Sequence, residues 1–444
     1  MFGLPWDQTL GALMFVGMIG FLFLGFPVAF SLIFTGLSFG LVGFGLGFFD
    51  LLPLRVWGTM TNFTLTAVPL FVFMGVALEK SGLAEELLDT MALLFGWLRG
   101  GIAISVVLVG AILAASTGIV GASVITMGLV SLPTMMRRNY DKQLITGTIC
   151  ASGTLGQIIP PSIILILLGD IMGVSVGDLY IGAFLPGLVL VGLYLIYLFV
   201  LAQWRPDLAP PIPKAEIAAF RSQAVRRVSV ALLPAFILIV GVLGSIFMGI
   251  AAPTEAAGVG AAGGLILTAV KGRLSMRILL DVMRSTTRIT SLAFIILVGA
   301  NTFGLVFRGL NGDHLVQSLL LNLPFGPYGV LAVVMAVIFF LGFFIDFLEI
   351  CFIHIPILTP VLVTHFGFDP VWLSIVLAVN LQTSFLSPPF GFALFYLRGV
   401  APPEITTGDI YRGVIPFLAL QLIGMTVVIA YPDIVFMMIR FFRG

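Results

Sequence analysis

Two stretches 228 residues apart, Ala151-Ser-Gly-Thr-Leu-Gly-Gln-Ile-Ile-Pro-Pro-Ser162 and Val379-Asn-Leu-Gln-Thr-Ser-Phe-Leu-Ser-Pro-Pro-Phe390, set small polar residues and a Pro-Pro pair inside apolar, membrane-length runs. A lipid-facing helix cannot hold such a break, because the freed backbone amides and carbonyls would find no water to bond. A matched pair of breaks marks helices that line a cavity, which is the layout of a secondary transporter.

Composition leaves no soluble alternative. With 60% hydrophobic and 9% charged residues, the chain lies far from a soluble globule, in which charged residues make up about 25%. Apolar runs of about 20 residues, the length of a membrane-crossing helix, recur from Thr9 to Phe442. They predict an all-α polytopic membrane protein of ten to twelve helical elements, some of them not full crossings. A net charge of +1 without a basic, aromatic-interleaved run sets nucleic acid aside. Cys150 and Cys351 stand alone in apolar runs, so neither a disulfide framework nor a cysteine metal site is expected. The start, Met1 to Asp7, lacks a charged region and no cleavage site follows, so the first apolar run reads as a retained helix.

Charge orients the chain. Arg205, Lys214, Arg221, Arg226 and Arg227 fill one loop and Lys271, Arg273, Arg277, Arg284 and Arg288 another, together ten of the 21 basic residues. The positive-inside rule makes both cytoplasmic, so residues 230–269 run out and back, turning near Ala252-Pro-Thr-Glu255. On either side of this pair the same order recurs: an apolar helix, an amphipathic arm (Gly82 to Trp97, then Asn311 to Asn322), a long apolar segment with a polar centre, the break, and a final long helix. The polar centres are Ala115 to Ser123 and Gly342 to Glu349. Arg99, Arg137, Arg138 and Lys142 flank the first segment, whereas the ends of the second, near Gly326-Pro327 and His365 to Pro370, carry no lysine or arginine. The copies are therefore inverted, and each polar-centred segment enters and leaves on one side as a re-entrant hairpin. Arg398 and Arg412 then fall in the cytoplasm. This layout predicts a transport domain from residues 99–173 and 326–400, against a scaffold from 1–98, 174–325 and 401–444.

Local chemistry follows from the breaks. Pro160 and Pro161 donate no backbone bond and Gly153 and Gly156 ease non-helical dihedrals, so a short unwound segment is expected. Its free carbonyls are hard ligands suited to an alkali cation, with sodium the economical choice. The polar centres, with Ser116, Thr117, Gly118, Gly121 and Ser123 in one and Gly342 and Asp346 in the other, would form hairpin tips whose half-helix N-termini suit an anion. The bland reading is ordinary small-residue helix packing. Ser123, Ser152, Ser162, Asp346 and Asn380 are the candidate solute-pocket residues. An ionisable group inside a membrane segment costs at least ~2.5 kcal/mol. Asp346 and Glu349, three apart, could share a helix face, but His354 is poorly phased to complete a metal site. A carboxylate that holds the second tip or assists cation binding is expected, and the roles of Glu349 and His354 stay open. Glu255, after Thr254 at a helix start, reads as a cap.

These motifs bring a family into view. Through Ser152 to Ser162, Pro253-Thr-Glu-Ala-Ala257, Gly342-Phe-Phe-Ile-Asp346 and Asn380 to Gly391, the chain resembles, over nearly its whole length, the large membrane subunit of tripartite ATP-independent periplasmic (TRAP) transporters. The resemblance implies an elevator-type, sodium-driven importer of organic acids, multi-pass in the bacterial inner membrane. It also implies two partners, a small four-helix membrane subunit and a periplasmic solute-binding protein. One sodium site would use carbonyls near Gly156, Ile159 and Pro161 with the Ser116-Thr117 tip; the other would use Gly342, Ser384 and Ser387. No organic cofactor and no enzymatic activity are implied. The chain departs from the family pattern at Asp346-Phe-Leu-Glu349, where many members carry Asp-Pro-Thr, and at a first tip reading Ser-Thr-Gly-Ile-Val-Gly rather than a denser Ser-Gly run. The rival readings are a stand-alone ion-coupled carrier or antiporter and, from a different class, an intramembrane hydrolase using Ser116 or Ser387 with His354.

Overall fold

The computed structural model describes residues 5–118, 120–221 and 224–444, with the side chains of 115–117 and 218–221 outside that description. The chain enters through α1 (Trp6–Phe23), α2 (Val28–Phe44), α3 (Leu52–Met60) and α4 (Ala67–Lys80), followed by a first arm, α5 (Leu83–Leu94). Next come α6 (Gly101–Thr117), α7 (Val120–Arg137), the half-helices α8 (Lys142–Thr154) and α9 (Ile163–Met172), and the long α10 (Val176–Trp204). A cytoplasmic helix α11 (Lys214–Arg221) precedes the out-and-back pair α12 (Ala224–Phe247) and α13 (Pro253–Val270) and then α14 (Met276–Gly309). The second copy has its arm α15 (Gly312–Leu321), then α16 (Pro327–Leu341), α17 (Phe347–Ile353), α18 (Ile355–Thr359), α19 (Pro370–Phe385), α20 (Phe392–Val400) and α21 (Thr407–Ala430). A last helix, α22 (Asp433–Arg443), closes the chain. These pieces outnumber the expected ten to twelve elements because every hairpin leg, arm and half-helix is separate.

Length sorts the helices by role. At 1.5 Å per residue, the 29 residues of α10, the 24 each of α12 and α21 and the 34 of α14 exceed the roughly 30 Å hydrocarbon layer. The 13 residues of α8, the 10 of α9 and the 16 of α19 do not. Exposed Trp6 and Trp57 at one end and Trp97 and Trp204 at the other place aromatic rings at the two interfaces.

Both re-entrant hairpins are present. The N–H of Gly100, at the start of α6, donates to Ala209 O (3.0 Å), and that of Asp141, just after α7, donates to Leu208 O (2.9 Å). One stretch of the basic cytoplasmic loop thus holds both ends of the first hairpin, so that hairpin cannot cross the bilayer. The ends of the second meet at Tyr328 and Phe368, whose rings lie 5.5 Å apart edge to face. Its return leg is itself broken between α17 and α18, next to Pro356.

Two packed groups organise the rest. In one, α2, α4, α13 and α14 lie side by side. In the other, α8 packs most extensively on α21, where a Cβ on Gly147 would strike Gly413 O and one on Gly413 would strike Gln143 O. Small residues let the two backbones touch, which is how helices associate without a hydrophobic driving force. Thr146 Oγ1 donates to Asp409 O (3.2 Å) across this contact, and Trp372 Nε1 joins α19 to α21 through Val428 O (3.0 Å). The long helices α10 and α21, assigned to the scaffold on sequence alone, therefore pack on the broken helices.

Candidate functional site

At the first break α8 ends at Thr154, one tight turn covers Leu155–Gln157, and α9 starts only at Ile163. Prolines at 160 and 161 remove the donors that the carbonyls of Gly156 and Gln157 would receive in a continuing helix. The Ser162 hydroxyl takes over at Gln157 O (2.7 Å), and among the described residues nothing takes the Gly156 carbonyl. The Gln157 side chain is fully buried, and among the described residues neither its Nε2 nor its Oε1 has a partner. Leaving a buried polar group unpaired costs about 1–3 kcal/mol.

The first hairpin tip docks here. Gly118 turns the chain with φ +60°, and a Cβ on it would sit 3.2 Å from Pro161 O and 3.3 Å from Ile163 N. Gly156 faces Ala114 of α6, and Ile159 is turned away toward Gly187 of α10. The side chains of the predicted tip residues Ser116 and Thr117 lie outside the described residues.

The second break repeats this with different chemistry. Helix α19 stops at Phe385 and α20 starts at Phe392, and here as at the first break the Pro-Pro bond is cis. A Cβ on Gly342 would overlap Ser384 Oγ, a buried hydroxyl without a hydrogen-bond partner among the described residues. Ser387 sits in the turn beyond, its N–H donating to Ser384 O (3.0 Å) and its hydroxyl to Thr383 O (2.8 Å). The tip rests on the break through Phe344 against Phe390 (5.3 Å) and Phe347 against Phe385 (6.0 Å).

Asp346 and Glu349 cap this tip. Asp346 Oδ1 accepts from Phe347 N (2.6 Å), and Glu349 Oε2 accepts from Asp346 N (3.0 Å), a reciprocal capping arrangement that starts α17. Both carboxylates, that of the candidate pocket residue Asp346 included, thus accept from backbone amides of their own first turn. Glu255 also caps, accepting from Ala252 N (2.9 Å).

Other candidate pocket residues are turned to local bonding. Ser152 Oγ donates to Ile149 O of its own helix (3.0 Å), Ser162 Oγ braces the break, and Asn380 Nδ2 donates to Met335 O of α16 (2.9 Å). Ser123 is buried on α7. A hydroxyl or amide in an apolar surrounding takes the nearest carbonyl, and sequence does not say which way it turns. Among the described residues His354 Nδ1 is buried without a partner and no serine hydroxyl bonds it; its ring lies 6.0 Å from that of Phe15.

The two halves interlock. Half-helix α9 packs on α17 of the opposite hairpin, and α20 packs on α7, where a Cβ on Gly121 would lie 2.9 Å from the Tyr396 ring. Buried Gln421 of α21 reaches Tyr194 of α10 (2.7 Å) and Thr154 at the end of α8 (3.3 Å). Sequence reading passed over Gln157 and Gln421, although each is an amide inside an apolar run and that signal was available.

A family model described as the tripartite ATP-independent periplasmic transporter DctM component matches residues 15–434. The chain is 27% identical over 96% of its length to the sialic acid TRAP transporter large permease protein SiaM of Vibrio cholerae, covering 98% of that protein. It is 28% identical over 86% of its length to the C4-dicarboxylate TRAP transporter large permease protein DctM of Pseudomonas aeruginosa, covering 88% of it. In fold it is similar to the YdaH transporter of Alcanivorax borkumensis, with a TM-score of 0.63 at 15% identity, covering 97% of this chain and 98% of the other.

Proposed function

The chain belongs to the DctM family, the large permease component of tripartite ATP-independent periplasmic transporters, and from that premise we propose that it imports a small organic anion across the bacterial inner membrane, driven by sodium. The observation that carries the reading is the pairing of each hairpin tip with a break that holds buried polar atoms unclaimed among the described residues: the Gly156 carbonyl and Gln157 side chain at one, Ser384 Oγ at the other. Sodium is cargo here, and an alkali cation takes oxygen ligands of this kind. The first ion would be held by carbonyls around Gly156, Ile159 and Pro161 with the Ser116-Thr117 tip, and the second by Gly342, Ser384 and Ser387. Each ion draws a tip onto its break, and the anion binds between the two tips.

The moving body in this reading comprises α6–α9 and α16–α20 together with α10 and α21, since these pack on the broken helices. It slides as an elevator against α2, α4, α13 and α14. Each sodium ion entering down ~100 mV contributes about 2.3 kcal/mol, and a tenfold gradient adds about 1.4. Two ions, less about 2.3 kcal/mol for carrying one negative charge inward, support accumulation of roughly a thousandfold or more. A small four-helix membrane subunit and a periplasmic solute-binding protein are the partners of this mechanism.

The test is uptake into proteoliposomes reconstituted with both partners. Uptake that follows the sodium gradient is expected, and uptake indifferent to sodium overturns the mechanism. Uptake by this chain alone would identify a stand-alone carrier instead.

A further inference from the structure

A second feature lies away from both breaks. Between the scaffold and the broken helices, on the side opposite the basic cytoplasmic loops, a cavity of about 830 Å³ opens beside α3, α14 and the return leg of the second hairpin. Its volume falls within the range of about 300–1,000 Å³ typical of small-molecule sites. Its charged lining is Arg55 and Arg308 on scaffold helices and Asp170 on the facing half-helix, a net excess of one positive charge. Asn62 Nδ2 donates to Asp170 Oδ1 (2.7 Å) across the gap, and Asn301 Nδ2 donates to Thr59 Oγ1 (2.9 Å) along the scaffold wall.

The two arginines stand out against the topology. Positive charge is disfavoured on the periplasmic side, and only four of the 21 basic residues end there: Arg55, Arg308, Arg440 and Arg443. Arg440 pairs with Asp433 and Arg443 with Asp178. Among the described residues Arg55 and Arg308 form no ion pair, and both face the cavity. A guanidinium is a planar fork of donors that matches a carboxylate. We propose that this cavity is a periplasmic anion-entry site, in which Arg55 and Arg308 bind the carboxylate of a small organic acid before it reaches the pocket between the tips.

The inference rests on the import reading for the identity of its occupant, and its test needs no transport. Leu54, 74% exposed on the cavity wall, is changed to cysteine in the full chain, where the native Cys150 and Cys351 are buried; the chain without that change is the control. Labelling by the anionic sulfonatoethyl methanethiosulfonate is compared with labelling by the cationic trimethylammonioethyl reagent. A cleft in which one sign of charge prevails, here two arginines over one aspartate, concentrates the opposite ion, by about tenfold at the low end of the range for such steering. The anionic reagent is therefore expected to be favoured by about that factor, with the preference lost in R55Q/R308Q and kept in R55K/R308K. Millimolar acetate and succinate are expected to slow labelling in the arginine background only. No charge preference, or no protection by either carboxylate, overturns the proposal, as does protection by a solute-binding protein alone, which would make the arginines a protein-docking surface. Failure of sodium-driven uptake with protection intact would sink the import reading and leave this site standing.

Discussion

The two hairpin tips do the same job with different materials. At the first, backbone meets backbone, with Gly118 in a left-handed turn against the Pro161 carbonyl and the Ile163 amide. At the second, a pair of carboxylates caps the helix and phenylalanines fill the contact with the break. An inverted repeat thus preserves where a tip must dock, while the chemistry that holds it there differs between the halves.

That contrast can be broken most severely at the glycines. Gly118→Ala adds about 1–2 kcal/mol of left-handed strain and sets a methyl group 3.2 Å from the backbone carbonyl of Pro161, so a lower melting temperature and loss of uptake are expected, with no neighbouring side-chain substitution restoring them. Gly342 has ordinary helical dihedrals, φ −66°, and its added Cβ would clash with the Oγ and Cβ of Ser384 while touching the Ile338 carbonyl only at ordinary contact distance (3.5 Å). Gly342→Ala should therefore also destabilise, but pairing it with Ser384→Gly, which removes both the Oγ and the Cβ that the new methyl group strikes, should recover part of the melting temperature without recovering sodium-dependent uptake. Equal behaviour of the two glycines would erase the distinction.

Gln157→Leu separates stability from function. Replacing an unpaired buried amide with an apolar side chain should hold or raise the melting temperature by an amount worth about 1 kcal/mol, while sodium-dependent uptake falls at least about tenfold, the effect of losing about 1.4 kcal/mol of ion binding. Loss of stability together with uptake would show that Gln157 is only a packing residue. Smaller still, Glu349→Ala should cost about 1 kcal/mol as a lost cap, read as a lower melting temperature, whereas Glu349→Gln keeps an accepting oxygen and most of the stability.

The smallest effect is expected at the cytoplasmic edge of the first hairpin, where Arg138 Nη1 donates to Glu216 Oε1 (2.9 Å). Hydrogen bonding to Arg138 holds the Glu216 carboxyl below the usual carboxylate range. A carboxyl depressed in the folded state adds stability above its unfolded pKa and loses it as pH falls through the folded value. Arg138→Gln should thus leave neutral-pH melting almost unchanged, as for most exposed pairs, and should flatten the dependence on acid pH.

Much of this was legible in the chain because the signals are local and costly to ignore. Pro160-Pro161 and Pro388-Pro389 must break their helices wherever these pack. Arg99, Arg137, Arg138 and Lys142 bracket the first hairpin because lysine and arginine counts set orientation. The three-residue spacing of Asp346 and Glu349 placed both on one helix face but did not show that they cap its start. The direction of a small polar side chain was not legible either, and Ser152 and Asn380 spend their donors on nearby carbonyls rather than turning toward a ligand.

By itself the sequence determined that this protein lives in a membrane, that two of its helices are interrupted, and that its halves face opposite ways, since an unsatisfied backbone in lipid and the sidedness of charge admit few alternatives. Tertiary structure alone decided that α10 and α21 join the broken helices, that Gly118 rests on Pro161, and that Gln157 is left unpaired. Helices α10 and α21 are apolar nearly all round, so their composition names no partner; the fit of Gly147 against Gly413 brings α21 onto α8, and that of Ile159 against Gly187 brings the first break onto α10.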